Sequence, residues 1–190
     1  MNLEMRSSKI EDGEDGVDAI LWLWEHGEQY GLDRTRFVLS GGSAGGNLAC
    51  AVPFRLHEYF RQRQQGQHEQ HEPEQKRNNR IGLAGIVGFY PSTDWTRTRK
   101  ERDATNPIAA KKSIITPKVF SFFDNSYLLP ETLPKQSGTN TVDMSHPYLS
   151  PGLAPTAQLL AAYPLSVVLY TCAWDQLLVE GNAFRERLHA

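Results

Sequence analysis

The segment LSGGSAGGNLA, residues 39–49, constrains the possible folds more than any other part of the chain. It contains the pattern Gly-x-Ser-x-Gly at residues 41–45, with a short apolar run before it and apolar residues at helical spacing after it. This context indicates a strand that turns sharply into a helix, with a serine at the turn. A serine held above the end of a sheet in this way forms a nucleophile elbow, so Ser43 is a candidate nucleophile.

Three neighbours of Ser43 fit that role. Gly41 and Gly45 lack side chains that are expected to collide with the adjoining strand and helix. The backbone N–H of Ala44 lies in the first turn of the helix, where the helix dipole favours negative charge, so Ala44 is a candidate oxyanion donor. The alternative is an ordinary glycine-rich turn without a catalytic role.

Apolar runs alternate with amphipathic stretches along the rest of the chain. An amphipathic helix is predicted at about 15–29, and a second helix at 117–128 after the cap residue Thr116. The aromatic stripe of the second helix is expected to pack in the core, with a substrate-site wall as the alternative. Strands are predicted at 36–40, 81–90 and 166–172. Strands that alternate with helices favour an α/β fold with a parallel sheet core, and the strand at 81–90 is expected to be covered on both faces.

A single domain is expected over residues 1–190, because 39% hydrophobic and 22% charged residues are ordinary proportions for a globular protein. Residues 61–80 hold six glutamines and no apolar residue, which predicts a disordered Gln-rich insertion at about 61–80. His68 and His71 lie in this insertion, but their spacing does not match a zinc motif, and no metal or other cofactor is expected.

Charge and hydropathy exclude several classes of protein. A net charge of −2 gives no electrostatic footprint for nucleic acid. No apolar run approaches membrane-spanning length, and the charged opening residues do not fit a secretory signal. Cys50 and Cys172 are expected to be buried free thiols, which fits a reducing compartment, and a cytoplasmic location is the default expectation.

Four motifs resemble the α/β-hydrolase superfamily, and within it the hormone-sensitive-lipase-like esterases of the fold-3 group. They are GGSAGGNLA (41–49), GFYPSTDW (88–95), SPGLAP (150–155) and WDQLLVEG (174–181). The resemblance implies a serine carboxylic-ester hydrolase, esterase or lipase-like, that acts on a small-molecule ester. In that family the triad acid stands first in a D-x-L-x-x-E-G pattern, which implies that Asp175 is the acid and that Glu180 is structural. An N-cap role for Asp175 is the simpler alternative, and it is compatible with catalysis.

Two parts of the family pattern have no match in residues 1–190: the H-G-G-type oxyanion loop and the catalytic histidine. His189 is expected to lie too far along a helix to act as the base for Ser43. His146, in a proline-rich loop, remains an alternative candidate for that base. The resemblance therefore implies a partial fold that lacks the first strands and the last strand, is truncated at both ends, and is inactive by itself. The alternative is a non-catalytic remnant or binding protein built on the same fold. The exposed edge strands of such a fragment predict self-association.

Overall fold

A computed structural model describes residues 12–66, 81–112, 115–128 and 134–189. The strands β1 (Phe37–Gly42), β2 (Leu83–Phe89) and β3 (Val167–Tyr170) form a parallel sheet in the order β1-β2-β3. The helices are α1 (Asp12–His26), α2 (Ala44–Gly66), α3 (Arg99–Thr105), α4 (Pro107–Lys112), α5 (Pro117–Tyr127), α6 (Thr156–Ala162) and α7 (Leu178–His189). Short 3-10 turns occupy Gly27–Tyr30 and Pro151–Leu153. The α/β class with a parallel sheet is confirmed.

The main core lies between one face of the sheet and helices α2, α6 and α7. Ile86 of the central strand and Cys50 of α2 are completely buried there, and Phe184 of α7 is almost so. A second cluster joins α1 to the same helix α2, with Val17 and Ile20 against Val52 and Leu56. Burial of these apolar side chains is the main force that holds the helices to the sheet.

The described residues leave the opposite face of the sheet uncovered, which corrects the expectation that the strand at 81–90 is buried on both sides. Side chains of β1 alternate between half-buried and exposed, and β3 shows the same alternation. Phe89 at the end of β2 is 41% exposed. Although β2 is almost continuously apolar, the described residues therefore do not cover both of its faces. β1 and β3 are the two edges of the described sheet, as expected.

Two further expectations need correction. Helix α2 continues to Gly66, so the segment from residue 61 to residue 66 is helical, while residues 67–80 of the predicted insertion lie outside the described residues.

Helix α5 begins after its predicted cap, since the Thr116 side chain accepts a hydrogen bond from the Val119 N–H at 3.4 Å. Its aromatic stripe does not enter the core, because Phe122 is 67% exposed. Only part of the aromatic face has packing partners among the described residues, since Arg99 lies over the Phe120 ring and Trp95 stacks on Tyr127, while Phe122 and Phe123 stay exposed.

A buried ion pair joins α3 to α7. Arg102 and Glu180 are 2% and 4% exposed, and the Arg102 Nε lies 2.8 Å from a Glu180 carboxylate oxygen. The other carboxylate oxygen accepts the backbone N–H of Thr93 at 2.9 Å and that of Asp94 at 3.3 Å. Burial raises the pKa of Glu180, and Arg102 and these amides oppose the rise. This network confirms a structural environment for Glu180 and fixes the loop that follows β2.

The arginine of this pair should be essential for stability. Replacing Arg102 by Met leaves the Glu180 carboxylate buried without its cation, and we expect a loss of about 3–5 kcal/mol in the free energy of unfolding at neutral pH. Because the pKa of Glu180 then lies further above its ordinary value of 4.5 in the folded chain, the loss should shrink as the pH falls toward that value. Denaturant titrations across pH measure both effects.

Arg36→Met is the matched control, because Arg36 pairs with Asp33 on the surface. It should leave the denaturation midpoint almost unchanged. Equal effects of Arg102→Met and Arg36→Met would show that the buried pair does not stabilise the fold.

The two cysteines should differ sharply in reactivity. Both thiols are free, but Cys50 is buried while Cys172 is exposed, which corrects the expectation that both are buried. Burial raises the pKa of Cys50 to about 12, so its reactive thiolate is scarce near neutral pH. We expect Ellman's reagent to modify Cys172 in the native chain and Cys50 only after denaturant is added. Rapid modification of Cys50 without denaturant would contradict this packing.

Candidate active site

Ser43 occupies a tight turn between β1 and α2. Its φ angle of 55° lies in the left-handed region, which residues other than glycine rarely adopt. The strain is held by hydrogen bonds on both sides, because the Ser43 N–H donates to the Phe89 carbonyl at 2.9 Å and the Ser43 carbonyl accepts the Asn47 N–H at 3.0 Å. The residue is exposed. Its hydroxyl is therefore accessible at the carboxyl end of the sheet.

The glycines around this turn have unequal roles. A Cβ on Gly41 would lie 2.3 Å from the Gly45 carbonyl oxygen, so no side chain fits at Gly41. A Cβ on Gly46 would lie 3.0 Å from the Gly41 oxygen and equally close to Pro91. A Cβ on Gly45 would meet nothing within 4 Å. The predicted collision is therefore present at Gly41 but absent at Gly45, where the crowded position is one residue later.

Ala44 is the first residue of α2 and is exposed. The first N–H groups of a helix have no intrahelical acceptor, and they lie at the positive end of the helix dipole. The Ala44 N–H therefore lies at a helix end that favours an anion, next to Ser43. Its role as an oxyanion donor stays a prediction.

Asn47 fixes the first turn of α2 and is 1% exposed. Its amide nitrogen donates to the Ser92 carbonyl at 2.6 Å and to the Leu149 carbonyl at 2.8 Å. Its amide oxygen accepts the Tyr127 hydroxyl at 3.2 Å. A single buried amide thus joins the helix that follows Ser43 to two loops and to α5.

Asp175 follows β3 at the same edge of the sheet as Ser43. Strands β1 and β3 flank β2, so their ends are separated by about 10 Å, two strand spacings. The Asp175 carboxylate accepts the Leu177 N–H at 2.9 Å and so supports the turn that leads into α7. This bond closes a turn ahead of α7, which begins at Leu178, so it is not the N-cap offered as the simpler alternative, and the half-buried carboxylate keeps further acceptor positions.

A second buried amide anchors the Asp175 turn. The Asn106 side chain donates to the carbonyls of Ala173 and Asp175 at 3.0 and 2.9 Å. The Gln176 side chain also bonds to Asp103 of α3. The backbone on both sides of Asp175 is therefore held from the α3–α4 region.

Asn47 and Asn106 were not found by sequence reasoning, although both left a signal. Asn47 lies on the same helical stripe as the buried residues Cys50, Ala51 and Phe54, where a polar residue needs buried partners. Asn106 precedes Pro107 at the start of α4, and its side chain accepts the Ala109 N–H at 3.3 Å, as helix caps do.

The histidines of the described residues lie away from Ser43. His57 is fourteen residues further along α2, which is about 20 Å by the helical rise, and His189 is the last residue of α7. His26 ends α1, and the chain continues from there to the amino end of β1. The structure brings none of these three to the carboxyl edge.

His146, the open alternative for a base, lines a separate cleft of about 650 Å³ with Phe54, Glu58 and Arg61. Those three residues lie in α2 from 11 to 18 residues beyond Ser43, or about 16 to 27 Å along the helix. Its ring is packed edge-on against Tyr148, and burial lowers the pKa of His146. This placement does not bring His146 to Ser43.

Helix α5 lies beside the candidate site. Tyr127 at its end stacks on Trp95 with ring centroids 5.0 Å apart and reaches Asn47 through its hydroxyl. Phe122 and Phe123 remain exposed along the helix. This arrangement fits the wall alternative better than the core alternative.

The described residues contain no group of three or more His, Cys, Asp or Glu side chains that could hold a metal ion. No helix in the described ranges is both long and apolar enough to cross a membrane.

Solved structures of esterases resemble the whole described fold. Carboxyl esterase 2 of the mycorrhizal fungus Tuber melanosporum matches with a TM-score of 0.64 at 21% identity, over 97% of this chain and 50% of that one. A thermostable esterase of Pseudomonas putida matches with a TM-score of 0.63 at 22% identity, over 97% and 47%. An esterase of Rhizomucor miehei matches with a TM-score of 0.65 at 20% identity, over 97% and 48%.

This chain thus spans about half the length of these structures. No curated protein matches it. A family model described as "alpha/beta hydrolase fold" matches residues 11–190. Since that match covers nearly the whole chain, the protein belongs to the alpha/beta hydrolase fold family.

Proposed function

We propose that this chain carries the nucleophile and the triad acid of a serine carboxylic-ester hydrolase. The observation that carries the proposal is the strained, exposed Ser43 at the β1–α2 turn, with Asp175 at the same edge of the sheet. The turn is a nucleophile elbow in this proposal, and the Ala44 N–H is one donor of the oxyanion hole. The family and the esterase neighbours support this assignment.

The proposed reaction is acyl transfer in two steps. The Ser43 oxygen attacks the ester carbonyl carbon while an imidazole takes the hydroxyl proton, and the Ala44 N–H stabilises the oxyanion that forms. The bond to the alcohol then breaks, and the imidazole returns the proton to the departing alcohol. Water repeats the sequence on the acyl-serine and releases the acid. Asp175 orients the imidazole and stabilises its protonated form.

No described histidine lies at the carboxyl end of the sheet. In their described positions, none of the four therefore acts as the base: His26, His57, His146 and His189. Losing the triad histidine lowers kcat by about 10⁶-fold in the serine protease subtilisin, which corresponds to roughly 8 kcal/mol of barrier. We therefore propose that residues 1–190 alone hydrolyse esters very slowly. Sequencing the mature transcript from end to end shows whether the encoded protein supplies a further histidine, and that encoded protein is the one to assay.

A non-catalytic binding protein is the second candidate. The observation that favours it is the absence of a histidine beside Ser43 among the described residues, together with the exposed aromatic side chains of α5.

The two free cysteines support a reducing compartment, and we propose a cytoplasmic location with a small-molecule ester as ligand or substrate.

Ser43→Ala should remove the hydrolysis of a short-chain p-nitrophenyl ester by the protein that the transcript encodes, because the acyl-serine cannot form. Ser40→Ala is the matched control, since Ser40 is an exposed serine three residues earlier on β1. It should keep the wild-type rate. Hydrolysis that survives Ser43→Ala would refute the proposed reaction, and a wild-type rate equal to buffer would favour the binding protein.

Asp175→Asn separates a catalytic from a purely structural role. The asparagine oxygen still accepts the Leu177 N–H, so the melting temperature should stay close to that of the wild type. If Asp175 orients the base, kcat in the transcript-encoded protein should fall by about 10²- to 10⁴-fold. A lower melting temperature with an unchanged kcat would assign Asp175 to the turn alone.

A further inference from the structure

The hydrogen bonds within the Asp175 turn define its shape but not its position. The Asp175 N–H donates to the Cys172 carbonyl at 3.1 Å, and the Asp175 carbonyl accepts the Leu178 N–H at 3.2 Å. The carboxylate itself accepts the Leu177 N–H at 2.9 Å. These three bonds join residues that move together. They therefore do not fix the carboxylate relative to the end of the sheet where Ser43 lies.

Asn106 bonds this turn to a distant part of the chain. Its side-chain nitrogen donates to the carbonyls of Ala173 and Asp175 at 3.0 and 2.9 Å, across 67 and 69 residues of sequence. Hydrogen bonds are directional, and Asn106 is only 9% exposed, so water competes little for these two acceptors. A planar amide therefore holds the backbone at two points of the turn and restricts where the turn lies.

Asn106 itself is held in place by its other polar groups. Its backbone N–H donates to the Arg102 carbonyl at 3.2 Å at the end of α3, and its own carbonyl accepts the Ala110 N–H at 3.1 Å in α4. Its side-chain oxygen accepts the Ala109 N–H at 3.3 Å. Arg102 is in turn joined to Glu180 by the buried ion pair. The side-chain amide therefore reaches the turn from a fixed part of the structure.

We propose that Asn106 is a positioning residue for the triad acid, because its two donated bonds hold Asp175 where the carboxylate orients the catalytic imidazole. This inference rests on the proposed function of Asp175. The hydrogen bond that orients an imidazole weakens steeply with distance and angle. A misplacement of about 1 Å in an active site can cost about 10²-fold in rate. Asn106 thus affects the rate through Asp175 rather than by contact with the ester.

Two variants remove the donated bonds and keep the cap of α4. Serine is an N-cap nearly equal to asparagine, and its oxygen can still accept the Ala109 N–H, but it has no amide group to bond both carbonyls of the turn. Aspartate has the shape and the acceptor of asparagine, but its carboxylate has no N–H. Asn106→Ser is the main variant, and Asn106→Asp takes its place if the serine variant does not fold. Asn140→Ser is the matched control, since Asn140 is exposed in the loop between α5 and α6.

Amide hydrogen exchange of the protein that the transcript encodes tests the position of the turn without any catalysis. Asn106→Ser should speed exchange of the Asp175 and Leu178 amides by about 10-fold, because the turn loses two hydrogen bonds that oppose its opening. The Ile86 amide, which bonds across the sheet, should exchange as in the wild type, and Asn140→Ser should change none of these rates. Unchanged exchange at Asp175 and Leu178 would overturn the proposal.

Hydrolysis of a short-chain p-nitrophenyl ester by the same protein measures the catalytic consequence. Asn106→Ser should lower kcat by about 10- to 10²-fold with little change in KM, because only the orientation of the base is affected. In the Asp175→Asn background the same substitution should lower kcat no further, since both changes act on one group. A fall of the same size in both backgrounds would overturn the proposal. If the wild type hydrolyses no ester, the proposed function fails, and the exchange rates alone then support or overturn the positioning by Asn106.

Discussion

The close approach of β1 and α2 at Gly41 determines the geometry of the whole carboxyl edge. Because the Gly45 carbonyl would lie 2.3 Å from any Cβ on Gly41, strand and helix meet where no side chain fits between them. The chain must then reverse direction within a few residues, and Ser43 takes the left-handed conformation that this reversal requires. The exposed hydroxyl of Ser43 and the position of the Ala44 amide both follow from this one contact.

Buried polar side chains hold the loops around this turn in place. Asn47 binds the loops after β2 and before Pro151, Asn106 binds the turn at Asp175, and Glu180 binds the loop after β2. Polar groups without water must find partners inside the protein, and hydrogen bonds are directional. These three side chains therefore restrict loop positions more tightly than apolar packing does. Apolar burial therefore stabilises the fold, while these hydrogen bonds fix the positions of the loops around Ser43.

The sequence predicted those features that depend on local patterns. The three strands, helix α1, the cap at Thr116 and the turn at Ser43 all follow from spacing and turn chemistry within a few residues. Long-range packing was less accessible. The collision at Gly46 rather than Gly45 depends on Pro91, and the exposure of α5 and of one sheet face depends on which helices lie nearby. An apolar run records that a strand can be buried, but it cannot record what covers it.

Phe89 joins the exposed side of the sheet to the candidate site. Its carbonyl accepts the Ser43 N–H at 2.9 Å, while its ring stacks on Tyr170 of β3. The next residue, Tyr90, also has a positive φ angle, of 40°, and its N–H donates to the Tyr170 carbonyl at 2.6 Å. The backbone of Phe89 and Tyr90 therefore links the stacked rings at the end of β2 and β3 to the strained serine.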